Sequence, residues 1–139
     1  MDTDTQVRTS NAVSSILVVD DDQDFREMVC EYARHLGSPA WAATNGLEAL
    51  WIVKHERPAL VLLDLRMPRL NGFDTIRHIQ KFDPAIRIVI VTGDGSDETR
   101  QRVEQLEMPL LLKPVALETV RDLLVPGAPG STRDSRGDA

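Results

Sequence analysis

Short apolar runs alternate with amphipathic stretches along this chain, and four of its five runs stop on a polar residue. Ile16-Leu17-Val18-Val19 leads into Asp20, Asp21 and Asp22, and Leu60-Val61-Leu62-Leu63 leads into Asp64. Ile88-Val89-Ile90-Val91 ends on Thr92, and Leu110-Leu111-Leu112 ends on Lys113 and Pro114. The run around Trp41 has no such ending. Runs this short and this rich in Val, Ile and Leu predict strands buried on both faces.

The intervening segments carry helical periodicity. Phe25, Val29, Tyr32 and Leu36 predict a helix from about Asp22 to Leu36, with Gly37 where it stops. Asp22 and Asp24 fall in its first turn, where negative charge suits the helix dipole. A second helix is expected from Gly46 to about Glu56, burying Leu47, Leu50 and Val53. A third starts near Asn71 and Gly72, uses Phe73, Ile76 and Ile79, and ends before Asp83 and Pro84. Ser96 opens a fourth as its N-cap, and the last runs from about Ala116 to Leu124 through Leu117 and Val120.

Strand and helix therefore alternate five times, the pattern of an α/β fold. Short right-handed crossovers make the sheet parallel and cover both of its faces. Strand order 2-1-3-4-5 is one of two common doubly wound solutions, and it sets the first and third strands side by side. Asp20, Asp21 and Asp64 would then share one edge of the sheet, outside the carboxyl ends of the strands, where ligands of such sheets bind.

Composition narrows the reading. At 139 residues, 42 % hydrophobic and 27 % charged, the chain has the make-up of a single soluble domain. A formal charge of −6 argues against general nucleic-acid binding, and no apolar run reaches the length of a membrane span. Cys30 is the only cysteine, which excludes an intramolecular disulfide and fits a reducing cytoplasm. Its expected role is a small apolar residue on a helix. The polar segments 1–14 and 126–139 are expected to be disordered tails around a folded unit of residues 15–125. No basic, apolar leader opens the chain.

Carboxylates crowded at one sheet edge need a cation. Like charges about 4 Å apart cost about 4 kcal/mol at an effective dielectric near 20. Mg²⁺, a hard ion that takes a few carboxylates and completes its shell with phosphate and water, suits such a site. Asp64 would then be a carboxylate able to accept a phosphoryl group covalently beside the metal. Lys113 supplies a second positive charge from another strand, and Thr92 a hydroxyl for a phosphoryl oxygen. Each residue alone has a plainer reading, as helix start, turn, loop or solvated lysine. Their convergence at matching strand ends does not.

With these residues in place, the chain resembles a receiver domain of a two-component response regulator, most like the single-domain chemotaxis type. The resemblance rests on Ile-Leu-Val-Val-Asp-Asp-Asp at 16–22, Val-Leu-Leu-Asp-Leu-Arg-Met-Pro-Arg-Leu-Asn-Gly at 61–72, Val-Ile-Val-Thr-Gly at 89–93 and Leu-Leu-Lys-Pro at 111–114. It implies a flavodoxin-like three-layer (βα)5 fold with Asp64 as phospho-acceptor and Asp20 and Asp21 as Mg²⁺ ligands. Asp64 and the backbone carbonyl of Arg66 would complete the protein's share of the metal shell. Lys113 would pair with the phosphate across a cis bond to Pro114, and Thr92 would be the switch hydroxyl. Arg66 and Asp94 stand where the family tunes phosphoryl lifetime. Leu110 departs from the family, many of whose members place an aromatic three residues before the lysine.

The resemblance further implies a signalling domain rather than an enzyme, capable at most of its own phosphorylation and dephosphorylation. Its partners would be a sensor histidine kinase or a histidine-phosphotransfer protein, and then a downstream protein target. With only a polar tail after Leu124, a stand-alone regulator is expected. The fourth helix carries only Val103 and Leu106 as large apolar residues and reads as thinly anchored. Output is therefore expected through the loop at 93–96 and the face of the fourth helix, fifth strand and fifth helix, read by a target or a second copy. His35, His55 and His78 read as surface residues, and Trp41 and Trp51 as packing residues. Two alternatives stand beside this reading. One is a haloacid-dehalogenase-like phosphatase using Asp20 and Asp22; the other is a pseudo-receiver that only binds.

Overall fold

The computed structural model describes residues 13–66 and 71–125. Of the expected tails at 1–14 and 126–139, residues 1–12 and 126–139 lie outside the described residues, as do residues 67–70. Among the described residues, five strands, β1 (Ile16–Val19), β2 (Ala40–Ala43), β3 (Leu60–Asp64), β4 (Arg87–Thr92) and β5 (Leu110–Leu112), alternate with five helices. These are α1 (Gln23–His35), α2 (Gly46–Glu56), α3 (Gly72–Phe82), α4 (Asp97–Leu106) and α5 (Leu117–Leu124). All strand pairs are parallel and the order is β2-β1-β3-β4-β5, as the alternation predicts.

Side chains alternate across each strand, so an unbroken apolar run feeds two cores at once. Ile16, Val18, Leu60, Leu62, Val89 and Val91 pack with α1 and α5 through Phe25, Val29, Ala33, Val120 and Leu124. Leu17, Val19, Val61, Leu63, Ile88 and Ile90 face the other way, onto Ala49, Val53, Ile76, Ile79 and Val103 of α2, α3 and α4. At the amino end of the sheet, half-buried Val13 packs on the first core and the Ser14 amide donates to the Leu124 carbonyl at 3.0 Å.

Local chemistry sets the helix ends. The side chain of Asp22 accepts from the amides of Asp24 and Phe25, that of Asn45 from Glu48, and that of Asn71 from Asp74. Gly37, at φ +95°, takes the left-handed conformation that ends α1.

Three packing expectations are corrected. Leu47 is 55 % exposed because the buried stripe of α2 is Gly46, Ala49 and Val53, which turns position 47 outward. Trp51 is 59 % exposed and stacks on the His55 ring with centroids 4.0 Å apart, so it packs on its own helix and not on the core. Leu117 stands exposed at the first turn of α5. Trp41 does lean on the core, Cys30 is buried on α1, and the three histidines lie on the surface. Among the described residues, no helix is long and apolar enough to cross a membrane.

Candidate functional site

Strand register builds the site. Val19 is level with Leu63, and Asp64 is level with Val91 beside Thr92, so Asp20, Asp64 and Thr92 emerge together at the carboxyl edge. Asp20 and Thr92 are almost fully buried and Asp64 nearly so, while Asp21 is exposed. One carboxylate oxygen from each of Asp20, Asp21 and Asp64 lies within 4.8 Å of the others. The acidic convergence inferred from strand order is thus the geometry found.

Each buried acid has fixed partners. The Asp22 amide donates to Asp20 Oδ1 at 2.9 Å, and the Arg66 amide to Asp64 Oδ1 at 3.1 Å. Asp20 Oδ2 is buried without a hydrogen-bond donor of good geometry and is answered by charge, with Lys113 Nζ 2.8 Å away. The same ammonium is 3.9 Å from Asp64 Oδ2 and 4.7 Å from the centre of the Phe25 ring. The Lys113-Pro114 bond is cis, in line with the resemblance.

Burial pushes the Asp64 carboxyl up to about 6 from an ordinary 3.8. The Arg66 amide and Lys113 work against that rise, and Asp20 and Asp21 add to it. Burial alone would lower the Lys113 ammonium, but Asp20, Asp64 and Asp22 outweigh it and hold its pKa above the ordinary value. The site therefore keeps Lys113 charged and resists a full set of ionised acids.

A hard cation fits this donor set. Three carboxylates supply only oxygen ligands, and the uncapped Asp20 Oδ2 is an acceptor that a bound ion would satisfy. Asp22 is not part of the cluster, because its carboxylate caps α1. That removes the second member of the acidic pair a dehalogenase-type phosphatase would need.

Some contacts were not read from sequence. Arg26 Nη1 donates to the Asp20 carbonyl at 2.9 Å, steadying the strand end. Phe25, a core position by its helical spacing, also sets its ring under Lys113. Beyond the acids, a cleft of about 280 Å³ is lined by Arg66, Phe73, Thr92, Asp94, Thr99 and Arg102, among others. Arg66 and Asp94 approach to 3.8 Å over it, and Arg102 lies 3.9 Å above the centre of the Phe73 ring. The spacing of Arg102 from Phe73 carries no sequence signal, since only helix packing joins them.

The model of the response regulator receiver domain matches residues 16–125. Sporulation initiation phosphotransferase F of Bacillus subtilis (strain 168) is 35 % identical over 108 residues, covering 77 % of this chain and 87 % of that protein. The receiver domain of NtrX from Brucella abortus superposes with a TM-score of 0.69 at 28 % identity, over 76 % of this chain and 91 % of that one. Chemotaxis protein CheY4 of Vibrio cholerae gives a TM-score of 0.70 at 26 % identity, over 77 % and 92 %. Other curated relatives are longer, and the chain spans 45 % of one and 14 % of another.

Proposed function

We propose, because this chain belongs to the family of response regulator receiver domains, that it takes a phosphoryl group from a phosphohistidine onto Asp64 and signals through protein–protein contact. Receiver domains are signalling domains that bind Mg²⁺ at an acidic pocket and meet sensor histidine kinases or histidine-phosphotransfer proteins. The observation that carries the reading is the meeting of Asp20, Asp21 and Asp64 beside the ammonium of Lys113.

Transfer asks for positioning and charge more than for covalent assistance. An Asp64 carboxylate oxygen bonds to phosphorus while the P–N bond of the donor breaks; its electron pair returns to the imidazole, which takes up a proton. Asp20, Asp21, Asp64 and the Arg66 carbonyl would hold Mg²⁺, which supplies charge that neutralises the phosphoryl oxygens. Lys113, kept protonated by its acidic neighbours, adds charge from just past the end of β5. Thr92 offers its hydroxyl from β4 and already accepts from the Asp94 amide at 3.1 Å.

The phosphorylated side chain carries about −1.5 to −2 charges in place of the carboxylate's single one, so this edge gains up to about one negative charge, spread over the phosphoryl oxygens. That charge attracts Lys113 and Thr92 from neighbouring strands and moves the loop at 93–96 with α4, whose one fully buried side chain is Val103. Output then leaves by the face of α4, β5 and α5, where Val103, Met108 and Leu110 line a groove edged by Asp97, Arg100 and Glu104. A downstream protein, or a second copy of the chain, reads that face. Leu110 stands half-buried at the position where the resemblance to receiver domains calls for an aromatic, so the readout proceeds without a ring there.

Incubation with acetyl phosphate and Mg²⁺ tests the assignment. Intact mass should show one phosphoryl adduct in the native chain and none in Asp64→Asn. An adduct that persists in the Asn variant would place the acceptor elsewhere.

A further inference from the structure

The loop between β4 and α4 is tied by more bonds than a helix start needs, and several of them meet at one residue. Ser96 already caps α4, accepting from the Thr99 amide at 3.3 Å. Asp94 adds a second set of ties. Its Oδ1 accepts from the Ser96 amide at 2.9 Å, and its Oδ2 accepts from the Thr99 hydroxyl at 2.7 Å. These bonds, from the Ser96 amide first, also keep its carboxyl ionised below the ordinary range.

Asp94 faces the acceptor by two other contacts. Its own amide donates to Thr92 Oγ1 at 3.1 Å, and its Oδ2 stands 3.8 Å from the Arg66 guanidinium. Arg66 in turn donates its amide to Asp64 Oδ1. A chain of contacts from Asp64 through Arg66 therefore ends on Asp94, as does a bond from the Thr92 hydroxyl at the end of the adjacent strand, and Asp94 grips the first turn of α4.

We propose that Asp94 is a positioning residue that couples the charge on Asp64 to α4, an inference that rests on the phosphoryl-acceptor reading above. A phosphoryl group on Asp64 carries more charge than Asp94 and competes with it for Arg66. The same group draws the Thr92 hydroxyl, and the Asp94 amide bonded to that oxygen follows. Both movements shift Asp94 against Ser96 and Thr99. A helix anchored by one fully buried residue has little packing to resist the shift. Leu106 against the core and Arg102 on the Phe73 ring hold α4 beyond its start, and the first turn can pivot about them.

The test compares the native chain with Asp94→Ala and Thr99→Val, each saturated with Mg²⁺ and beryllofluoride as judged by bound-fluoride NMR. Amide hydrogen exchange is followed at 64–66 and 97–106 with and without the ligand. The readout is the difference the ligand makes, which a loss of helix stability alone does not alter. In the native chain exchange across 97–106 should change by about fivefold or more, and in both variants by less than about twofold, while 64–66 still responds. Thr99→Val keeps the charge and the Arg66 pair, so it answers the question even if Asp94→Ala folds poorly. A full α4 response in either variant would overturn the coupling through that contact; a native chain that saturates without an α4 response would overturn the inference and leave the acceptor reading intact. A native chain that takes no beryllofluoride would overturn the acceptor reading itself.

Discussion

α3 and α4 follow the two strands that bear Asp64 and Thr92, open at the same sheet edge, and are held in opposite ways. α3 buries Gly72, Thr75, Ile76 and Ile79 and is pinned at its start by Asn71, whose carbonyl accepts from the Thr75 hydroxyl at 2.9 Å. Its far end is covered by Arg57, which lies 4.8 Å over the Phe82 ring and 3.6 Å from Asp83. α4 buries only Val103 and relies on polar bonds at its first turn. Apolar burial is non-directional and fixes a helix over its length, whereas a few polar bonds at one end fix it only until a stronger charge competes. The helix behind the acceptor is thus a support, and the helix behind Thr92 is free to respond.

The contrast can be broken at its strong side first. Ile79→Ala should cost about 2–5 kcal/mol of global stability by urea unfolding, as a fully buried residue of its size does. A second break lies in the acid cluster both helices frame. Because the folded Asp64 carboxyl holds its proton to higher pH than the unfolded one, its ionisation costs stability. That cost is absent below about 3.8, complete above about 6, and on the order of 3 kcal/mol without metal. Metal-free protein should therefore gain stability as pH falls from 7 towards 4, and Asp64→Asn should flatten that dependence in thermal melts.

Gly72→Ala sharpens the comparison at the root of α3. A Cβ there would lie 2.7 Å from the Leu65 backbone, so the helix start must move, at about 1–3 kcal/mol. Val103→Ala should cost about 1.5–2 kcal/mol, the loss of two buried methyl groups, with faster amide exchange confined to α4. The smallest effect is expected from Arg102→Ala. It removes a surface cation–π contact of about 0.5–1 kcal/mol, visible as raised exchange in α4 with little change in overall stability.

Most of the architecture was legible in the order of residues. Five apolar runs with helical stretches between them permit few chain paths, and Asn71 and Ser96 mark helix starts by local hydrogen bonding that needs no distant partner. Helix faces were less legible. Leu47, Trp51 and Leu117 carry the right hydrophobicity but lie off the buried stripes. Which stripe a helix buries depends on its rotation against the sheet, and small residues such as Gly46 and Ala49 set that rotation by allowing close approach.

The candidate site divides in the same way. Asp20, Asp21, Asp64, Thr92 and Lys113 could be listed from strand endings alone, because every parallel strand delivers its last residue to one edge whatever the details of packing. Which partner each would hold was settled by contacts between segments remote in the chain: Lys113 on Asp20 and over Phe25, Arg26 on the Asp20 carbonyl, Arg66 beside Asp94, and Arg102 on Phe73. Periodicity and punctuation are local, so a chain spells them out residue by residue. Distances between side chains from different loops arise only once the whole sheet has closed on its helices.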